Sequence, residues 1–184
     1  HASQPFSMMY SHEETGNDLT FTRDRQVKAW CQQQGVGWHE YRQFGVVRRL
    51  RHRDLWKDAW ETHMACPQHH WEQASFVSMP WPPTKAPTAV ALGLGVPDMP
   101  ARQRGGRVIG MQVWEDFLHG RSQSYRGGIS SPLSSPTACS RISPYLTYGC
   151  LSMREVVQST RQKMDALSPG QNRHQAGLAA FQSR

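Results

Sequence analysis

The sequence predicts an α/β segment, followed by a proline-rich linker and then by an all-helical part. Three observations predict this order. A helical pattern from about Phe21 to Gln34 lies between two short strand-like runs. Seven prolines lie between Cys66 and Gly106, where hydrophobic periodicity is weak. Helical periodicity then returns at Arg107 and continues towards the end of the chain.

The first part, residues 1–52, is interpreted as one strand–helix–strand unit. Pro5–Tyr10 is a short apolar run of the kind found in buried strands. Asp18 or Thr20 is expected to cap the helix, and Gly35 is expected to end it. Several charged residues around the helix start permit a functional reading, but a solvated helix N-terminus with opposite charges in reach explains them as well. They are Glu13, Glu14, Arg23, Asp24 and Arg25.

The second part, residues 53–106, begins with a predicted helix from Arg53 to Met64 and continues as the linker. Four arginines lie between Val46 and Arg53, close to the tryptophans of that helix. Such a stretch can bind nucleic acid by charge and stacking. The alternative is that the tryptophans are core residues, with the arginines forming a solvated rim. Trp81, flanked by prolines, is expected to anchor the linker.

One group in this part raises the question of a metal site. The potential ligands are His63, Cys66, His69 and His70. Their spacing is not that of a standard zinc motif, and no second ligand pair follows. We therefore predict no metal.

The third part, residues 107–184, is predicted to be helical. Arg107–His119 carries an apolar face that Gly120 ends. Arg121–Ala138 is rich in Ser, Gly and Pro and is predicted to be a loop. A helix is expected from Met153 to about Ala166, and Ser168 with its following proline is expected to cap another.

The stretch from Cys139 to Glu155 carries the strongest local signals. Ser143 and the following proline predict a helix start. Ser152 and Glu155 form a capping box ahead of the next helix. Free backbone N–H groups and serine hydroxyls therefore come together on both sides of Arg141, which is the chemistry of an anion site, with phosphate as the usual ligand.

These residues resemble the flavin-phosphate segment of the photolyase/cryptochrome family. The motif is Ser140-Arg141-Ile142-Ser143-Pro144-Tyr145-Leu146, with Tyr125 upstream at the family's spacing. A second motif resembles the bacterial deoxyribodipyrimidine photolyases of this family; it is Ser11-His12-Glu13-Glu14-Thr15-Gly16-Asn17, continued in the stretch from Gly45 to Trp56. The resemblance covers most of the chain and identifies it as an internal piece of such a protein.

The resemblance implies a Rossmann-like antenna domain joined by a linker to an all-helical FAD-binding domain. It implies that light-excited reduced flavin passes an electron to a cyclobutane pyrimidine dimer in damaged DNA and splits the ring. The residues that would contact the FAD phosphates and ribityl region are Tyr125, Ser140, Arg141, Ile142 and Ser143. Cys139 stands where the family commonly has threonine, which replaces a strong hydroxyl donor by a weak thiol.

The resemblance also sets limits. The family's residues around the flavin ring have no counterpart in this chain, so we expect the piece alone to be inactive. For the full-length protein, the resemblance implies a monomeric carbon–carbon lyase. An antenna chromophore of folate or deazaflavin type would lie near residues 1–52, but no residue identifies it. A cryptochrome-type blue-light photoreceptor stays open as an alternative.

Composition agrees with a polyanionic partner. The net charge is +7, which favours association with nucleic acid, and a basic nucleic-acid-binding protein without a cofactor is therefore a further alternative. No apolar run has membrane-spanning length, and we expect no membrane association. The four cysteines have no framework spacing, which suggests a reducing cytoplasm.

Overall fold

The computed structural model describes residues 6–69, 85–95, 99 and 101–183. This part of the chain is mostly helical and contains a small two-stranded parallel sheet. The strands are β1 (Met8–His12) and β2 (Gly37–Tyr41). The α-helices are α1 (Asp18–Gln34), α2 (Trp56–Ala65), α3 (Arg107–His119), α4 (Tyr125–Gly128), α5 (Ser135–Ala138), α6 (Ser143–Thr147), α7 (Met153–Asp165) and α8 (Asn172–Gln182). Short 3₁₀ helices at Arg53–Leu55 and Arg121–Ser124 lead into α2 and α4.

The predicted strand–helix–strand unit is present at the start of the chain. β1 and β2 pair in parallel, with Met8 opposite Gly37 and His12 opposite Tyr41. The first strand begins later than the predicted Pro5–Tyr10, and Pro5 lies outside the described residues. A parallel pair needs a crossover connection, and α1 supplies it.

Local capping chemistry determines both ends of α1. Its N-cap is Asn17, whose side chain accepts a hydrogen bond from the backbone N–H of Thr20 at 3.3 Å. The prediction that Asp18 or Thr20 is the cap is therefore wrong, because Asn17 offers a side-chain oxygen one residue earlier. Gly35 ends the helix with a left-handed φ of 67°, as predicted.

A buried ion pair joins α1 to β2. Arg48 donates to the carboxylates of Asp24 on α1, at 2.5 Å, and Glu40 on β2, at 3.1 Å. Asp24 is buried. Burial opposes its charged form, but the hydrogen bonds and charges of Arg23 and Arg48 outweigh this effect and lower the pKa of the carboxyl group. The expectation of solvated charges therefore fits Arg23, whose side chain is exposed, and is wrong for Asp24.

Helix α2 packs against α7 around a buried methionine. Met64 is completely buried. The side-chain amide of Gln158 on α7 donates to the carbonyl oxygens of Met64 (2.8 Å) and Cys66 (2.9 Å). Arg161, one turn further along α7, pairs with Glu61 at 2.7 Å. These contacts join the N-terminal part of the chain to the helical part.

The two tryptophans of α2 have different surroundings. Their rings stack with centroids 5.9 Å apart, and the guanidinium of Arg161 lies over Trp60 at 5.9 Å. Trp56 is 46% exposed. The prediction that the tryptophans are core residues is therefore wrong for Trp56, because the contacts with α7 involve Trp60 and Met64 instead.

The helical core forms around the aromatic side chains of α3. Trp114 and Phe117 are almost completely buried, and Phe181 of α8 lies 5.6 Å and 5.1 Å from their ring centroids. Tyr125 meets Phe117 edge-on at 5.6 Å. The other buried members of this cluster are Leu118, Ile142, Tyr145, Leu151, Val156 and Leu178. The predicted apolar face of α3 is confirmed.

The prediction of a loop over Arg121–Ala138 is wrong. The segment contains a 3₁₀ helix and the short helices α4 and α5. Tyr125 is buried with 8% exposure and packs on Phe117 and Phe181. Because these partners come from α3 and α8, tertiary packing overrides the preference of this Ser- and Gly-rich segment for a loop.

The capping box of α7 is confirmed. The Ser152 hydroxyl accepts from the backbone N–H of Glu155, and the Glu155 carboxylate accepts from the backbone N–H of Ser152. By contrast, Ser168 does not cap α8. The N-cap is Gln171, whose side-chain oxygen accepts from the backbone N–H of Ser168 at 2.9 Å. The start of α8 therefore lies after the predicted cap.

The described parts of residues 66–106 contain turns and bends but no helix or strand. Trp81 and most of the prolines lie outside the described residues, so the anchoring role of Trp81 and the divisions at residues 52 and 106 stay predictions. Among the described helices, none has the length and apolar character needed to cross a membrane.

Gly177 lets α8 lie directly on the 3₁₀ helix Arg121–Ser124. A Cβ atom at Gly177 would lie 1.7 Å from the carbonyl oxygen of Ser122, a backbone atom. A Cβ atom at Gly127 on α4 would have no neighbouring atom within 4 Å. The two glycines therefore form a matched pair for testing this contact.

We predict that Gly177→Ala lowers the free energy of unfolding by about 1–3 kcal/mol, because the added methyl group must push α8 away from the 3₁₀ helix. Gly127→Ala should leave it unchanged or raise it by roughly 0.4–1 kcal/mol. Urea denaturation of both variants measures the difference. Equal midpoints would contradict the close contact of α8 with Ser122.

Candidate functional site

Four of the five residues predicted to bind a cofactor line one open depression of about 420 Å³. They are Tyr125, Ser140, Arg141 and Ser143. The remaining lining comes from Gln103, Ile129, Cys139 and Pro144. The side chain of Ile142 does not line the depression; it is 3% exposed and packs in the helical core.

Arg121 holds one wall of this depression against α3. Its guanidinium donates to the carbonyl oxygens of Cys139 and Ser140 and to that of Val113 on α3. It also pairs with Asp116 and lies 5.6 Å from the centre of the Phe117 ring. One planar cation therefore binds backbone atoms on two sides, which the forked guanidinium geometry permits.

Arg141, the residue after Ser140, has a strained backbone. Its φ of 63° lies in the left-handed region that residues with a Cβ atom rarely adopt. The side-chain amide of Gln103 donates to the Arg141 carbonyl oxygen at 2.8 Å and helps hold this conformation. Ile142 follows in a right-handed conformation, with φ −91° and ψ −8°. Such an alternation turns successive backbone N–H groups to one side and makes an anion-binding concavity.

The donors around Arg141 have no partner in the part of the chain that the structure describes. The backbone N–H groups of residues 140–143 have no hydrogen-bond acceptor among the described residues. Arg141 is exposed, and its guanidinium has no hydrogen bond or ion pair within the described part of the chain. The combination of a fixed turn, free N–H groups and an unpaired cation fits a phosphate or pyrophosphate group.

Ser143 contributes differently from the sequence-based expectation. The prediction that it is the N-cap of α6 is wrong, because Ile142 occupies that position and no side chain caps the helix. The Ser143 hydroxyl is therefore not used in capping. It lines the depression instead, as does Ser140.

Tyr125 and Cys139 lie at the border between the depression and the core. Tyr125 is almost completely buried, so its ring is held by packing rather than exposed on a loop. Cys139 is half-buried, its backbone N–H donates to Ser135 at 3.0 Å, and its carbonyl oxygen binds Arg121. The Cys139 backbone is thus committed to structure, and the thiol is the atom that this residue can offer to a ligand.

Sequence reasoning missed Arg121 and Gln103. Their key contacts, to the carbonyl oxygens of Cys139 and Arg141, cross 18 and 38 residues respectively. No local pattern marks either residue as a partner of the motif.

The metal question concerns the stretch from His63 to His70. Among the described residues, no group of three or more His, Cys, Asp or Glu side chains could hold a metal ion. His70 lies outside those residues. His63 points its ring nitrogen towards Arg154, at 3.3 Å.

Comparisons with known proteins give a likeness in fold. No protein-family model matches the sequence, and no curated protein matches it. The chain is similar to the crystal structure of a bacterial class III photolyase from Agrobacterium tumefaciens, with a TM-score of 0.64 and 14% sequence identity. The similarity covers 96% of this chain and 39% of that photolyase. At this identity the comparison shows a photolyase-like fold, and this chain spans about two fifths of the photolyase.

We predict that Arg121→Lys loosens the turn at Arg141. An ammonium group cannot reproduce the fork that binds carbonyl oxygens on both sides, so the free energy of unfolding should fall by about 1–3 kcal/mol. Amide hydrogen exchange at residues 140–143 should become faster.

Arg126→Lys is the matched control, because Arg126 is exposed on α4 and has no hydrogen bond or ion pair among the described residues. Similar exchange rates in the two variants would mean that Arg121 does not hold the turn.

Proposed function

We propose that this chain forms the flavin-phosphate-binding part of a light-dependent DNA repair protein of the photolyase type. The observation that carries the proposal is the depression around Arg141, where a left-handed turn lies beside N–H groups and a guanidinium that have no partner among the described residues. The photolyase-like fold supports the same assignment. The expected reaction is the splitting of cyclobutane pyrimidine dimers in damaged DNA.

The residues of the depression fit the phosphate end of FAD. The backbone N–H groups of residues 140–143 and the hydroxyls of Ser140 and Ser143 would donate hydrogen bonds to the pyrophosphate oxygens. Arg141 would neutralise part of its charge, and the packed ring of Tyr125 would form a wall of the site. Ile142 would act through its backbone N–H, with its side chain anchoring the turn in the core.

These residues would bind and orient FAD, and the redox chemistry belongs to the cofactor itself. When bound, reduced FAD would supply the electron that opens the dimer. The part of the chain assigned here fixes the phosphate end of the cofactor, which determines where the rest of the molecule can lie.

The charge of the chain supports a nucleic-acid partner. The net charge is +7, and a basic surface strengthens association with DNA phosphates in a salt-dependent way. A signalling photoreceptor with the same cofactor would have no need to bind lesions. Repair activity therefore separates the proposal from the cryptochrome-type alternative.

We predict that Arg141→Ala, made in the complete reading frame that contains this chain, loses FAD. Loss of the cation and its charge-assisted hydrogen bonds should weaken binding by about 1.5–3 kcal/mol, or roughly ten- to a hundred-fold. The flavin-to-protein ratio after dialysis measures the effect. Arg173→Ala removes an exposed arginine of α8 and serves as the control. If both variants retain as much flavin as the unsubstituted protein, the phosphate site has been assigned to the wrong residue.

We further predict that the complete protein with reduced flavin removes cyclobutane dimers from an irradiated oligonucleotide in blue light and not in darkness. Dimer content before and after illumination measures the activity. Flavin binding without repair would favour the photoreceptor. A colourless protein that binds DNA with steep salt dependence would favour the cofactor-free nucleic-acid-binding alternative.

A further inference from the structure

A second concave surface lies where the N-terminal part of the chain meets the start of α7. It has a volume of about 300 Å³. Its lining includes Arg42, Arg107, Arg154, His12 and His63. None of the described residues that line it is an aspartate or a glutamate. We call it the arginine cavity.

The three arginines of this cavity differ in how their charge is compensated. Arg107 is paired with Glu155 at 2.6 Å and 3.0 Å. Arg154 donates to the carbonyl oxygens of His63 at 3.0 Å and Pro67 at 3.2 Å, and it has no carboxylate partner among the described residues. Arg42 is exposed and has neither a hydrogen bond nor an ion pair in the described part of the chain. Two positive charges therefore share a cavity in which the described residues provide no counter-charge for them.

This local excess of positive charge affects the pKa of His63. Burial lowers its pKa, and the nearby charges of Arg154 and Arg42 lower it further. A neutral imidazole can accept a hydrogen bond from Arg154, whose Nη2 lies 3.3 Å from its Nε2. His12 is the other histidine on the lining.

The start of α7 adds the backbone N–H groups of Met153 and Arg154 to the same cavity, whereas that of Ser152 already donates to the Glu155 carboxylate. Ser152, Met153 and Arg154 all line it, and α7 is thirteen residues long. The N-terminus of such a helix carries partial positive charge. Its first-turn carboxylate, Glu155, is already engaged with Arg107, so the surroundings of Arg154 stay electropositive.

We propose that the arginine cavity binds the phosphate group of a small ligand, held between Arg42 and Arg154. The two guanidiniums come from different elements, the segment after β2 and the first turn of α7, and can therefore approach an anion from two sides. Planar guanidinium groups match phosphate oxygens in charge and in hydrogen-bond geometry. A concave surface suits a single phosphate group, whereas a duplex backbone requires an extended basic track.

This inference does not rest on the proposed flavin function. None of the residues that line the flavin depression lines the arginine cavity. The two proposed sites can therefore be tested independently. NMR signals from residues 140–143 report on the flavin depression, and those from residues 152–154 report on the arginine cavity.

The test is a titration of inorganic phosphate into the isotopically labelled 184-residue chain at constant ionic strength, followed by NMR. Saturable shifts are expected at the amides of residues 152–154 and at the His63 ring. The pKa of His63 should rise on binding, because the anion offsets the charges of Arg42 and Arg154 that face it. Protonation of His12 is followed in the same spectra.

Arg42→Gln should weaken phosphate binding about tenfold or more, and it should not impair folding because Arg42 has no partner among the described residues. Arg173→Gln removes the same charge from the exposed surface of α8 and should leave binding unchanged. Equal affinities in the two variants, or shifts spread over all surface cations, would overturn the proposal.

A short DNA duplex titrated in place of phosphate distinguishes the two sources of the same chemical group. The proposal expects inorganic phosphate to saturate residues 152–154 and His63 without DNA. If these residues respond to the duplex and not to inorganic phosphate, the cavity is part of a nucleic-acid surface, and the small-ligand assignment is wrong.

Discussion

The position of the candidate site depends on the guanidinium of Arg121. It binds the carbonyl oxygens of Cys139 and Ser140 and that of Val113 at once, so the segment before Arg141 is fixed relative to α3. The carbonyl oxygens of this segment are engaged in this way, while the backbone N–H groups of residues 140–143 have no acceptor among the described residues. The proposed anion site thus depends on a cation that is not among the residues lining the depression. Backbone donors placed in this way need no rearrangement when the ligand binds.

Aromatic packing makes this arrangement rigid. Phe117 lies beneath the Arg121 guanidinium and meets the ring of Tyr125, while Phe181 of α8 closes the cluster. Gly177 allows α8 to approach the backbone of Ser122, which no residue with a Cβ atom could do without displacement. The depression therefore lies against a close-packed core, and its wall cannot shift independently of α3 and α8.

The arginines of this chain have distinct roles, which their partners reveal. Arg48 and Arg121 are largely buried and engage carboxylates or carbonyl oxygens from several elements, so they hold structure together. Arg42 and Arg141 are exposed and have no partner among the described residues, so their charges are available to a ligand. Net charge alone cannot separate these roles, since all four contribute equally to it. The separation needs the positions of the surrounding carboxylates and carbonyl groups.

The sequence by itself determined the helices whose ends depend on local chemistry. Gly35 ends α1, the Ser152–Glu155 capping box begins α7, and the apolar face of α3 is evident from its spacing. It also indicated Tyr125, Ser140, Arg141 and Ser143, which the fold brings to one depression. Only the tertiary structure decided that Tyr125 is buried, that Arg141 is left-handed and that Arg121 and Gln103 hold the turn. The physical reason is distance along the chain: capping acts within one helical turn, whereas the contacts of Arg121 and Gln103 with this turn join residues 18 and 38 positions apart.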